Sequence, residues 1–181
     1  MTIGITATSL TFVATVLSIV AYYLYHIKKD EQLLTMARMS FYSAGALIVF
    51  QVVLLLWGIL THQFQLTYVF SYTSRDLPLY YLISTFWAGQ EGTFVLWLLL
   101  GAIYGFVIIR SRKHDEPLVM SFMNLIHAFI LIILIKRNPF TYVWEMNPAG
   151  FPAGVIPLDG NGLNPLLQDP WMTIHPPVLF A

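Results

Sequence analysis

The chain has 181 residues, 57% of them hydrophobic and only 10% charged, with a formal net charge of zero. A soluble domain carries about 25% charged residues, so the deficit places the chain in the membrane class, and the neutral balance gives no electrostatic case for nucleic acid. With no cysteine at all, disulfides and thiolate chemistry are excluded, and any metal must be held by His, carboxylate, Met or backbone.

A hydrocarbon core about 30 Å thick needs about 20 apolar residues of helix. Residues 3–25 meet that need without a charged side chain and end at His26, Lys28 and Lys29. They lack the basic start and small-residue cleavage site of a signal peptide and predict a first span. A polar turn over 28–38 leads to a second span over 41–60. Residues 61–90 are rich in aromatics, with only Arg75 and Asp76 charged. A third span follows over 92–109, ending at Arg110, Arg112 and Lys113, and a fourth over 118–135, ending at Lys136 and Arg137. From Asn138 onward the chain reads as an outer loop, 138–177, holding eight of the ten prolines and leading to a truncated fifth apolar run. The predicted fold class is an all-α polytopic membrane protein with about four transmembrane helices and short surface helices. It forms a single membrane-embedded region over 1–181.

Lys28, Lys29, Arg38, Arg110, Arg112 and Lys113 lie on one side of these spans, and Arg75, Lys136 and Arg137 on the other. Six against three makes the first side cytoplasmic, so the amino terminus and the Pro-rich loop are expected outside. Gly101 and Gly105 form a Gly-x-x-x-Gly pair on the third span, which lets two backbones approach closely. Packing within the same chain is the favoured reading.

Of the five histidines, His26 and His62 sit at span ends, where an amphipathic ring is at home, and His114 lies in a short charged loop. His127 falls near the middle of the fourth span, three residues after Asn124 and six after Ser121, suggesting one polar stripe. Ionisable groups at that depth usually face the bundle interior. His127 is either part of a proton path or an internal haem ligand, or else a neutral imidazole hydrogen-bonded to a neighbouring helix. A transporter-like bundle would need such a path, and Gln51 with this stripe is all the spans offer.

His175 has a different setting. Residues 162–177 read Gly-Leu-Asn-Pro-Leu-Leu-Gln-Asp-Pro-Trp-Met-Thr-Ile-His-Pro-Pro. Asn164-Pro165 and Asp169-Pro170 each suit an N-cap followed by a first helical position, predicting two short helical turns. The residue before a proline is pushed out of the helical region. His175 is therefore expected to be extended, with Pro176-Pro177 opening the next helix. A neutral imidazole so held can ligate haem iron, though one loop histidine does not by itself establish a metal site. Tyr68, Phe70, Tyr72, Tyr80, Tyr81, Phe86 and Trp87 either wall a flat macrocycle or form an interfacial belt. Glu91, between Gly89 and Gly92, either caps or binds.

Three stretches resemble one family. Residues 87–97, Trp-Ala-Gly-Gln-Glu-Gly-Thr-Phe-Val-Leu-Trp, are similar to the Trp-x-Gly-x-Glu-Gly-Ser-x-x-x-Trp segment of CcmF/NrfE haem-lyase subunits of cytochrome c maturation. Asn138-Pro139-Phe140 resembles the Asn-Pro-Phe of that family, and residues 162–177 resemble its Leu-Asn-Pro-Leu-Leu-Gln-Asp-Pro-x-x-x-x-His-Pro-Pro signature. Together these matches cover most of residues 85–177. The resemblance implies a protein of the bacterial cytoplasmic membrane or the mitochondrial inner membrane. Such a protein receives haem (b-type, in transit to cytochrome c) from the chaperone CcmE. With CcmH-type and CcmI-type partners it promotes attachment of that haem to a Cys-x-x-Cys-His apocytochrome c. It further implies that His175 is an axial ligand of the haem iron, with Trp87, Glu91, Asn164, Gln168, Asp169 and Pro176 shaping the site. No catalytic side chain is implied here. The family's Trp-rich segment, second outer histidine and b-haem histidine pair find no match in this sequence, and His127 matches no histidine of the family. The expectation is therefore a fragment or split-gene piece that acts with the remainder of the lyase chain and is not active alone. The competing expectation is a non-catalytic membrane scaffold or transporter-like module of the same assembly pathway.

Overall fold

The computed structural model describes residues 3–111 and 115–180. His114, Arg112 and Lys113 lie outside the described residues. Four long helices dominate: α1 (Ile3–Lys28), α2 (Glu31–Leu60), α5 (Gln90–Ser111) and α6 (Glu116–Lys136). Short helices decorate one end: α3 (Thr67–Tyr72), α4 (Leu79–Ser84), α7 (Val143–Met146) and α8 (Pro170–Phe180), with 3₁₀ turns at Thr85–Trp87 and Pro165–Leu167. At 1.5 Å per residue the 26 residues of α1 span about 39 Å and the 21 of α6 about 32 Å. All four long helices are long and apolar enough to cross a membrane. The chain is an all-α multi-pass membrane protein.

The second helix begins earlier than the apolar pattern suggests. The polar turn expected over 28–38 is only Lys29 and Asp30. Lys29 adopts φ 56°, and the Asp30 carboxylate then accepts the Gln32 N–H at 2.9 Å, capping a helix that starts at Glu31. Helix-forming polar residues extend the element well beyond its hydrophobic stretch.

Arg38 is thus carried on α2 and meets α6. Its Nε and Nη2 donate to Glu116 Oε1 and Oε2 at 2.8 and 2.6 Å. Tyr22 of α1 donates to the same Oε1 at 3.0 Å. Glu116 is wholly buried, so this fork joins α1, α2 and α6 at the end opposite the short helices.

Helix α1 packs along α2 and α6, while α5 bridges α2 and α6. The α1 face turned inward carries Thr8, Thr11, Thr15 and Ser18, all buried. In hydrocarbon each polar group must find a partner. Thr8 donates to Gln51 Oε1 at 2.8 Å, and Gln51 Nε2 donates to Thr11 Oγ1 at 2.9 Å. Asn124 Nδ2 donates to Ser18 Oγ at 3.1 Å.

The expected polar stripe on α6 divides. Residues 124 and 127 keep turning around the helix relative to 121, which places 121 and 127 about 120° apart at 3.6 residues per turn. Ser121 bonds back to the Pro117 carbonyl at 2.6 Å, Asn124 faces α1, and His127 faces α5. The polar groups therefore serve two helix interfaces and make no continuous path. A Cβ on Gly101 would overlap His127 Nε2, and one on Gly105 would overlap Met123 and Phe41. The Gly-x-x-x-Gly pair thus seats side chains of α6 and α2 within the chain.

Asn138-Pro139-Phe140 closes the end of α6 that bears the short helices. Asn138 Nδ2 donates to Thr8 Oγ1 of α1 at 3.1 Å, while its Oδ1 accepts the Phe140 N–H at 3.1 Å. The Phe140 ring is 1% exposed and occupies the space a side chain on Gly4 would need. Beyond it, Thr67 N–H donates to the Thr141 carbonyl and Val143 N–H to the Gln65 carbonyl, at 2.8 and 2.9 Å. These bonds pin the two loops at this end to each other as a platform, and α8 meets the chain at Tyr80 and Trp87.

Candidate functional site

The Pro-rich segment is stitched to the α3–α4 corner before it reaches α8. Asn161 and Gly162 donate their N–H groups to the carbonyls of Phe70 and Thr73, at 2.8 and 3.0 Å. Asp159 Oδ1 accepts from Arg75 N–H at 3.0 Å and Gly160 N–H at 2.8 Å. These two bonds, the Arg75 one first, hold its carboxyl below the usual aspartate range. Gly162 adopts φ 78°, a conformation that glycine takes without strain, and Leu163 then enters the core.

Both proline turns are capped. Asn164 Oδ1 accepts the Leu166 N–H at 3.0 Å ahead of the 3₁₀ turn that starts at Pro165. Asp169 Oδ1 accepts from Trp171 and Met172 N–H at 2.9 and 3.2 Å, with Pro170 as the first residue of α8. Gln168 Nε2 folds back on the Leu163 carbonyl at 2.8 Å. The polar atoms of Asn164, Gln168 and Asp169 therefore hold backbone.

His175 is not extended. Helix α8 runs through Pro176 and Pro177 without a break, and His175 is helical. A proline inside a helix removes the donor to the carbonyl four residues earlier. Pro177 therefore leaves the Thr173 carbonyl without its helical partner. The indole Nε1 of Trp87 supplies one instead, donating to Thr173 O at 3.0 Å. The tertiary contact replaces the lost helical bond and outweighs the local preference against helix before proline. Thr173 carries no recognisable sequence signal, although it lies four residues before Pro177.

Trp87 is placed by the rest of its motif. Tyr68 of α3 is buried, and burial holds its phenol above the ordinary value, so it acts as a neutral group. Its hydroxyl accepts the Gly89 N–H at 3.1 Å and lies 2.8 Å from the Thr85 carbonyl, to which it donates. A Cβ on Gly89 would overlap Tyr72, and one on Gly92 would overlap Tyr68 and the Phe86 carbonyl. Thr93 Oγ1 donates to the Gly89 carbonyl at 2.9 Å. Every motif position from Trp87 to Thr93 that bears a recognisable feature thus has a structural partner, except Glu91. Its side chain lines a separate cleft with Tyr72, Arg137 and Asn138.

The helix α8 has two unlike sides. Thr173 and Pro176 face inward over a cleft of about 200 Å³ shared with Ser84, Trp87, Leu163 and Leu167. His175 faces out and is exposed. Trp171, one turn before it and 81% exposed, and Val178, 67% exposed, share that outward face. The aromatics of 61–90 serve the platform. Phe86 is in the core, Phe70 packs edge-on against Phe151 at 5.2 Å, and Tyr80 donates to the Pro170 carbonyl at 3.4 Å. Among the described residues no cluster of three or more His, Asp or Glu side chains could hold a metal ion. His175 therefore offers one exposed imidazole on a fixed helix, enough for one axial bond to a metal already held in a macrocycle. His62 instead packs against Phe64 at 5.6 Å between ring centres, and His127 is buried against Gly101.

The sequence matches no protein-family model. It is 35% identical over 156 residues to the cytochrome c-type biogenesis protein CcmF of Pseudomonas aeruginosa, a match covering 83% of this chain and 22% of that protein. CcmF of Escherichia coli is 32% identical over 142 residues, 76% of this chain and 20% of that protein. The biogenesis protein NrfE of Haemophilus influenzae is 28% identical over 160 residues, 85% and 24% respectively. The solved structure of cytochrome c heme lyase CcmF superposes with a TM-score of 0.76 at 24% identity, covering 99% of this chain and 28% of that one, which shows the fold. The chain thus spans between a fifth and a quarter of the length of these curated relatives. Over that span it belongs to the CcmF/NrfE family of cytochrome c-type biogenesis proteins.

Proposed function

We propose that this chain forms the part of a cytochrome c maturation haem lyase that receives haem as cargo, with His175 as one axial ligand of its iron. The observation that carries the reading is the exposed imidazole on α8, a helix fixed to the membrane bundle through the Trp87–Thr173 bond. A neutral imidazole donates a lone pair to iron, and Trp171 and Val178 supply apolar contact for a flat macrocycle on either side of it. Trp87 and Asp169 act by setting the position of α8, and Asn164, Gln168 and Pro176 by shaping the turn that leads to it and the side that packs down. A second axial ligand comes from elsewhere in the assembly.

In this reading the haem arrives from a haem chaperone of the CcmE type, and CcmH-type and CcmI-type subunits present the apocytochrome. Attachment adds each cysteine thiol of Cys-x-x-Cys-His across a haem vinyl group. The carbon–sulfur bond forms as the vinyl double bond is lost, and the thiol proton ends on the neighbouring carbon. This chain's share is to hold the macrocycle still at the membrane surface, which lowers the entropic cost of that encounter. The Lys and Arg distribution supports placing the amino terminus and α8 outside a bacterial cytoplasmic membrane.

The test is His175→Ala in the complete lyase, read as haem retained per purified complex and as holocytochrome formed. Loss of both with the subunits still co-purifying is expected. Normal cytochrome maturation by the variant would remove the ligand role.

A further inference from the structure

The second cleft, of about 250 Å³, is not used by this reading. It lies between α3, the start of α5 and the end of α6, and Thr67, Ser71, Tyr72, Glu91 and Arg137 line it. Ligand pockets for drug-sized molecules run to roughly 300–1,000 Å³, so this one suits a small polar group and not a porphyrin. Glu91 stands in the first turn of α5 and Arg137 caps the end of α6. A helix amino terminus favours an anion and a carboxyl terminus a cation, so each side chain stands at the helix end that suits its sign.

The two charges line one cleft without pairing. Among the described residues the one ion pair is Arg38–Glu116. Tyr72 lies within the influence of both: burial first, then the negative charge of Glu91, raise its phenol above the ordinary value, and Arg137 acts the other way. Thr67 Oγ1, in the same wall, is buried with no hydrogen-bond partner. Finally, the cleft sits where two membrane-crossing helices end, which is the level of lipid headgroups.

We propose that this cleft binds the phosphoethanolamine headgroup of a membrane phospholipid, its phosphate on the Arg137 guanidinium and its primary ammonium on the Glu91 carboxylate. An unpaired cation and anion in one small cleft call for a ligand carrying both signs. Arg is suited to forked recognition of phosphate oxygens, and the carboxylate accepts N–H donors. The lipid need not bind for α8 to hold haem, so the two readings stand or fall separately.

The protein is reconstituted in nanodiscs of equimolar phosphatidylethanolamine, phosphatidylcholine and phosphatidylglycerol, and the lipid that stays bound is read by native mass spectrometry. Phosphatidylethanolamine is expected to be retained about tenfold over either competitor, the ratio a charge-assisted hydrogen bond supports. Phosphatidylcholine has no N–H to offer Glu91, and phosphatidylglycerol has no cation. Glu91→Gln should abolish that preference, and Arg137→Gln should lower retention of all three lipids. Equal retention of the three by the unaltered protein would overturn the proposal, whatever the variants do. So would an unchanged preference in a folded Glu91→Gln variant. Soluble phosphoethanolamine that displaced the lipid at equal concentration would overturn the lipid assignment and leave a site for free zwitterions.

Discussion

The indole of Trp87 and the carbonyl of Thr173, eighty-six residues apart, meet at 3.0 Å. The bond explains why the helix bearing His175 continues through two prolines. It also links two of the stretches that resemble the family, one on each side of the same contact. Trp87 thereby fixes the helix that carries His175.

Trp87→Phe keeps an aromatic ring and removes the donor. The orphaned carbonyl should cost about 1–3 kcal/mol, read as a lower thermal midpoint and weaker haem retention. Pro177→Ala returns a backbone N–H to Thr173, so the loss from Trp87→Phe should shrink in that background. A coupling near zero in the double-mutant cycle would show that the indole bond does not stand in for the helical one.

The Arg38–Glu116 fork predicts a stability effect at the opposite end. Glu116→Gln leaves the Arg38 charge, whose side chain is 34% exposed, facing a neutral amide, and losing these charge-assisted bonds should cost about 1–3 kcal/mol. Thermal unfolding in detergent should show a clear drop, while haem retention by the surviving folded fraction stays unchanged. A variant of unaltered midpoint would mean that the pair is solvated.

Packing at Phe140 supplies a third prediction. Removing a buried phenylalanine ring typically costs about 3–5 kcal/mol. Phe140→Ala should fall in that range, because the ring fills the gap above Gly4. Gly4→Ala alone should clash with the unaltered ring and lower the midpoint. Tolerance of Gly4→Ala would place the ring elsewhere.

Asp159 predicts a pH dependence of the loop. Its carboxyl lies below the ordinary aspartate range in the folded chain because two N–H groups bond the charged form. Its contribution is therefore complete above the unfolded-state value and is lost as pH falls through the lower folded value. Protection of the Arg75 and Gly160 amides, measured relative to their intrinsic exchange rates, should fall on acidification over that window. Asp159→Asn should exchange at a rate that no longer responds to pH beyond the intrinsic chemistry.

Much of the fold is legible along the chain, for reasons that differ by element. The four long helices follow from uninterrupted apolar runs, because hydrocarbon tolerates few other solutions. The caps at Asn164 and Asp169 follow from local chemistry, since an Asx side chain reaches its own next turn. What escapes is whatever depends on a distant partner. His175 reads as extended because the rule for residues before proline is local, and the indole that overrides it arrives from residue 87. Arg38 reads as a solvated turn residue because Glu116 is brought to it only by packing of α2 on α6. The stripe through Ser121, Asn124 and His127 reads as one face, yet the helical turn divides it between two neighbours. Glu91 is a motif member in sequence, but its place in one cleft with Arg137 appears only in three dimensions.

The most direct test of the account is axial ligation by His175 itself. The complete lyase carrying His175→Gly is loaded with haem in the absence and presence of free imidazole, and the visible spectrum of the bound haem is recorded. The account predicts that haem is lost without imidazole and regained, with the unaltered protein's spectrum, when imidazole replaces the missing ring. Haem bound by the glycine variant with an unchanged spectrum and no added imidazole would contradict it.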